Sequence, residues 1–113
     1  MDITESSAGG VTVAALKGRL DAATASGAEA KLLAMLASNA KLVVDLAEVG
    51  YISSAGLRVL LLAAKQAKAG GGALTLAAPH AGVTEVLEIS GFNKILTIHV
   101  AREAAVAALQ DAG

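Results

Sequence analysis

The segment Lys41-Leu42-Val43-Val44-Asp45-Leu46 constrains the fold more than any other stretch of the chain. Its apolar centre runs on without alternation, so a strand made from it presents apolar side chains to both faces of a sheet. Both faces must then be covered. In a chain of 113 residues the economical cover is helices packed on a mostly parallel sheet, which places the fold in the α/β class.

The rest of the chain supplies those partners. Asp2 to Glu5 and Val11 to Lys17 read as two strands, joined across Ser6-Ser7-Ala8-Gly9-Gly10 as a hairpin. A first helix begins near Thr24 or Ser26, where Ser26 and Glu29 have capping-box spacing, and Ala28, Leu32, Met35 and Leu36 recur at helical spacing. A long helix opens at Ser53-Ser54 and stops at Gly70-Gly71-Gly72. A strand over Ala73 to Ala77, a short helix over Gly82 to Ser90, a strand over Ile95 to Val100 and a helix over Arg102 to Gln110 complete the order β-β-α-β-α-β-α-β-α. No composition break or linker divides the chain, so residues 1–113 are expected to form one domain.

Composition removes whole classes of function. Nine Lys and Arg against ten Asp and Glu leave a net charge of −1, and there is one Tyr, one Phe and no Trp. A nucleic-acid binder would show a basic face and stacking aromatics, so direct nucleic-acid binding is not expected. The absence of Cys excludes disulfides, thiolate catalysis and zinc fingers. The longest apolar stretch, Val59 to Ala64, falls well short of the ~20 residues that span a bilayer, and no secretory signal opens the chain, so a cytoplasmic location is expected. No nucleophile elbow, zincin motif or phosphate-binding loop occurs, and the two His and scattered carboxylates lack metal-ligand spacing. Ser54, His80 or His99, and Asp45 supply the residue types of a hydrolytic triad, but no motif draws them together. No catalytic residue, metal or cofactor is therefore assigned.

One junction carries chemistry. The run from Asp45 through Ser53-Ser54-Ala55-Gly56-Leu57-Arg58 takes a buried strand through two serines into a Leu-rich helix. In an open α/β sheet such a junction lies beyond the carboxyl end of the strand, where function gathers. Free N–H groups and the positive end of the helix dipole favour an anion there, so a phosphoryl group on serine would be held at the helix start. The same serines also suit a plain N-cap role. The helix that follows is apolar all round over Val59 to Ala64, which implies either leucines left for a partner or a second helix packed across it.

Val44-Asp45-Leu46 to Ser53-Ser54-Ala55-Gly56-Leu57 resembles the signature of STAS domains, the sulphate-transporter and anti-sigma-factor-antagonist family. Gly18-Arg19-Leu20-Asp21 matches the family's G-x-L-D element, Gly70-Gly71-Gly72-Ala73-Leu74 its glycine turn, and Ile89-Ser90-Gly91-Phe92 its helix end. The resemblance spans nearly the whole chain. It implies a mixed, mostly parallel sheet that opens with a β-hairpin and carries about four helices.

A free-standing STAS domain of this length is similar to the bacterial anti-sigma factor antagonists. That resemblance implies a non-enzymatic binding module whose partner is an anti-sigma factor that is also a serine kinase, with a PP2C-type phosphatase as second partner. Ser54 takes the phosphoacceptor position, and the partner surface is expected around Asp21, Ser53, Gly56, Leu57 and Arg58. The chain departs from the family pattern at two places: Ser53 stands where an Asp usually precedes the acceptor, and Ala55 where a Ser or Thr follows it. Two other members of the family's repertoire remain open, a constitutive subunit of a lipid-transport ABC complex and a small-ligand sensor.

Overall fold

The structure is a computed structural model that describes residues 1–111; the last two positions of the expected 1–113 domain lie outside the described residues. Five strands form one sheet in the spatial order β1 (Asp2–Ala8), β2 (Val11–Leu20), β3 (Lys41–Ile52), β4 (Ala73–Ala77), β5 (Ile98–His99). The β1–β2 pair is antiparallel and the other pairs are parallel. Helices α1 (Ala25–Ser38), α2 (Ser54–Ala69), α3 (Ala81–Ile89) and α4 (Arg102–Asp111) fill the crossovers and the C-terminus. This is the mixed α/β arrangement expected from the sequence.

Alternation along the central strand divides the interior in two. Leu42, Val44 and Leu46 join Leu16, Leu76 and residues of α1, α2 and α3 in the main core. Val43 faces the other way, with Val11, Val13 and Ala77, against Ala105, Val106 and Leu109 of α4. Three helices thus cover one face and one short helix covers part of the other. Complete burial of side chains such as Leu109 stabilises by roughly 1.5–3 kcal/mol each, so α4 is the lightly held element.

Three local readings change on contact with the structure, and one that was left open is decided. The Ser26–Glu29 capping box does not form; the N-cap is Thr24, whose hydroxyl accepts from the Asp21 N–H at 3.0 Å and donates to the Arg19 carbonyl at 2.8 Å. The hairpin strands are longer than expected and close through Gly9-Gly10 alone. The fifth strand shrinks from Ile95–Val100 to two residues, because a 3-10 turn over Phe92–Lys94 leads into a bond from the Leu96 N–H to the Phe92 carbonyl at 2.8 Å. That turn sends Phe92 and Leu96 into the main core and leaves Ile95 59% exposed. Finally, the apolar stretch of α2 finds its cover inside the molecule: Val59, Leu60 and Ala63 are buried in the cluster that holds Leu32, Met35 and Leu36 of α1. Leu61, Leu62 and Ala64 stay half-buried, and none of the leucines is fully exposed.

Candidate functional site at the start of helix α2

Strand β4 ends where Ala77 pairs with Asp45, but β3 runs on to Ile52 beside β2 alone. Over this extension β3 takes seven steps from Asp45 to Ile52 while β2 takes five from Ala15 to Leu20, which amounts to two bulges. Bulges re-aim side chains near sheet ends. Here they bring Arg19 opposite Tyr51 and Leu20 opposite Ile52. The two strands therefore finish side by side, with Asp21 following one and Ser53 following the other.

The strand-to-helix junction is pinned through its backbone. The Ser53 N–H donates to the Leu20 carbonyl at 3.0 Å, and the Leu57 N–H donates to the Ser53 carbonyl at 2.9 Å, which starts the helix. Ser53 is extended, and its hydroxyl accepts from the Gly56 N–H at 3.4 Å, a long cap bond. Ser54, the first residue of α2, is exposed, and none of the hydrogen bonds among the described residues engages its hydroxyl. The two roles left open for the serine pair thus separate, with Ser53 as the cap and Ser54 turned outward.

Gly56 has a different task from the one the sequence suggested. It is buried, and a Cβ there would lie 2.5 Å from the Leu20 carbonyl oxygen and 2.8 Å from Leu20 Cγ. The missing side chain admits the end of β2, not an incoming surface. Leu57 is half-buried against the main core and Arg58 is exposed. Of the residues expected at a partner surface, Asp21, Ser53 and Arg58 keep polar atoms outward, whereas Gly56 contributes only by setting how closely α2 approaches the sheet.

Two residues at this edge were given no role by sequence reasoning. The Arg19 guanidinium stacks on the Tyr51 ring, 4.3 Å from its centroid, and its Nε donates to the Asp21 carboxylate at 3.3 Å. Tyr51 is 43% exposed, so an aromatic ring and an arginine lie open beside the serines. Such residues are enriched in binding hot spots. Around Asp21, loss of water pulls the carboxyl pKa upward, but hydrogen bonds from Arg19, Ala23 and Thr24 and the Arg19 charge outweigh this and hold it below its ordinary value. The first turn of α2 carries no acidic residue, so the positive end of its dipole is unopposed at Ser54.

The triad residues are not gathered. Asp45 is buried, and its carboxylate is taken by Arg102 at the start of α4, at 2.8 Å. His80 caps α3, its Nδ1 accepting from the Gly82 N–H at 3.1 Å. His99 shares a row of the sheet with Ala77 and Asp45, while Ser54 lies beyond the far end of β3. Among the described residues no cluster of three His, Asp or Glu could hold a metal ion, and no helix is long and apolar enough to cross a membrane.

Comparison with known proteins agrees with this architecture. The family model described as "Mlab, STAS domain" matches residues 3–98, and the chain belongs to the STAS domain family. A protein of Bordetella bronchiseptica, BtrV, provisionally named as an anti-sigma factor antagonist, is 42% identical over 113 residues, covering 99% of this chain and 97% of its own length. Two solved proteins share the fold at low identity. An anti-sigma factor antagonist from Mycobacterium paratuberculosis is 23% identical with a TM-score of 0.85, over 97% of this chain and 94% of that one. The anti-sigma factor antagonist SpoIIAA in its unphosphorylated form is 18% identical with a TM-score of 0.80, over 97% of each chain. The phosphorylated form of SpoIIAA, from Bacillus, matches at a TM-score of 0.71 and 17% identity, over 95% of this chain and 98% of that one.

Proposed function

We propose that this protein is an anti-sigma factor antagonist: a non-catalytic, cytoplasmic, single-domain module that binds an anti-sigma factor with serine kinase activity while Ser54 is unmodified. Phosphorylation of Ser54 breaks the complex, and a PP2C-type phosphatase restores it. The observation that carries the reading is the exposed, unengaged Ser54 hydroxyl at the first position of α2, with Ser53 doing the capping. The name of the BtrV relative and the existence of a phosphorylated form of SpoIIAA support it.

The physics of the switch follows from the site. A neutral Ser54 beside Asp21, Arg58 and the Arg19–Tyr51 stack can pack flush against a partner. A phosphate adds about −1.5 to −2 charges at that point, and burying it unpaired costs several kcal/mol. In the free protein the same phosphate sits favourably at the helix start. Modification therefore stabilises the released state and destabilises the bound one.

The test is the intact mass of the protein from its native cells before and after PP2C phosphatase treatment. A phosphatase-sensitive gain of one phosphate at Ser54 is expected. Absence of phosphate across growth conditions would reverse the reading in favour of the constitutive subunit of a lipid-transport ABC complex. That second reading draws on Ser53, which removes the carboxylate that normally precedes the acceptor.

A further inference from the structure

The truncated fifth strand leaves a second feature at the other end of α2. Strand β5 pairs only with Leu76 and Ala77, so the first three residues of β4 have no strand partner on their outer edge, although Ile95, Leu96 and Thr97 pass beside it. Along β4 the N–H groups of Leu76 and Ala78 point toward β5, to Thr97 and His99, while that of Ala73 points inward to Ala40. By this alternation the Leu74 N–H and carbonyl point to the β5 side of β4 without pairing to β5, while the Leu74 side chain is in the main core and the residue is 4% exposed. A groove of about 480 Å³ runs along this free edge. Leu61 and Ala64 of α2 form one wall, Ile95 and Leu96 the other, and Lys65 and Lys68 stand at its rim. Its size falls within the range of roughly 300–1,000 Å³ typical of ligand sites.

The charge pattern selects the occupant. No carboxylate lines the groove, and neither lysine belongs to an ion pair among the described residues. Lys68 lies in the last turn of α2 and meets the negative end of its dipole, but Lys65 lies before that turn and has no such duty. Lysines beside an unpaired strand edge disfavour a second basic strand and favour an acidic one, because the Coulomb term changes sign with the incoming charge. We propose that this groove is a strand-addition site for an extended partner segment with alternating apolar and acidic residues. The segment's backbone would pair with Leu74, its apolar side chains would enter between Leu61 and Ile95, and its carboxylates would meet Lys65 and Lys68. This is independent of the Ser54 switch and lies at the opposite end of the same helix.

The probe is acetyl-Val-Glu-Val-Asp-Val-Glu-amide, titrated into the isotopically labelled full chain and followed by amide NMR shifts. Shifts centred on Leu74, Thr75 and Thr97, with slowed hydrogen exchange at Leu74, are expected. Lys65→Glu combined with Lys68→Glu, both at exposed positions, should weaken binding roughly tenfold. N-methylation of alternate peptide amides should abolish binding in one phase and spare it in the other, as one-sided strand pairing requires. Ser54→Asp should leave this binding unchanged, which separates it from the switch. The proposal is overturned if the peptide gives no shifts at millimolar concentration, or if the version with Lys in place of Glu and Asp binds equally. It is also overturned if both N-methylated phases bind alike, if decanoate alone produces the Leu74 shifts, or if a second copy of the chain occupies the edge.

Discussion

The two ends of α2 are built on one plan and put to different uses. At each, a glycine at or just past the helix end lets the chain come close to a residue at or beside a strand terminus whose carbonyl accepts a backbone bond. Gly56 lies against Leu20, whose carbonyl receives the Ser53 N–H; Gly72 lies against Ala40, whose carbonyl receives the Ala73 N–H. At the C-terminal end, backbone bonds from Gly70, Gly71 and Gly72 engage the carbonyls of Gln66, Lys68 and Ala67. The N-terminal end is closed more loosely, by one long side-chain bond, and leaves an exposed hydroxyl and free backbone donors. The backbone docking supplies rigidity at both ends, and the incomplete capping confines reactivity to one.

The largest effect that tests this contrast is in binding. Ser54→Asp places a permanent charge at the loosely closed end and should cost several kcal/mol against the anti-sigma partner, enough to abolish a micromolar complex. Ser54→Ala should bind like the unmodified protein and ignore the kinase, as read by titration calorimetry with and without kinase and ATP. If Ser54→Asp bound every candidate partner normally, the functional asymmetry between the ends would be gone.

Next in size is the shared docking. Replacing an exposed mid-helix glycine with alanine gains up to about 1 kcal/mol. Gly56→Ala should do the reverse, losing roughly 1–3 kcal/mol, because the new methyl group would meet the Leu20 carbonyl at 2.5 Å and Ile52 Cγ1 at 3.0 Å. A lowered urea midpoint with an unchanged slope is expected; a raised midpoint would show that the helix start is not tightly docked.

The contrast between the ends also explains what the sequence could reveal. The strand buried on both faces, the strand–helix alternation and the glycine-marked end of α2 depend on neighbours in the chain, and each was legible. The position of Ser54 was legible for the same reason. Arg19 over Tyr51 was not, because these residues meet only after β3 takes up two extra residues relative to β2. Gly56 was expected at the partner surface, and its packing against the end of β2 was not legible, since Leu20 lies far away in sequence. The fifth strand failed for a related reason: its β-branched pattern was overridden by core burial of Phe92 and Leu96, which no local propensity encodes.

A smaller effect separates the serines. Ser53→Ala removes the cap and should cost about 0.5 kcal/mol, the low end of the usual capping range, because the bond to the Gly56 N–H is long. Ser54→Ala should leave thermal stability unchanged. Equal losses for the two variants would mean that Ser54 shares the capping and is less free than its exposure indicates.

The smallest effect concerns Asp21, beside the same end of α2. Its carboxyl is held below the ordinary value of 3.8, with desolvation opposed by the stronger combination of bonds from Arg19, Ala23 and Thr24 and the Arg19 charge. A carboxylate with a depressed folded-state pKa adds stability above its unfolded value of about 3.9, and that stability disappears as pH falls through the folded value. Asp21→Asn should therefore be less stable than the parent chain near neutrality, and the gap should narrow as pH is lowered through about 4. Urea midpoints for both proteins near pH 6 and near pH 3 measure the change. Raising the salt should shrink the part owed to the exposed Arg19 charge and spare the backbone bonds. A gap of the same size at both pH values would mean that Asn simply fits the turn less well, and that the charge of Asp21 does not help hold this edge in place.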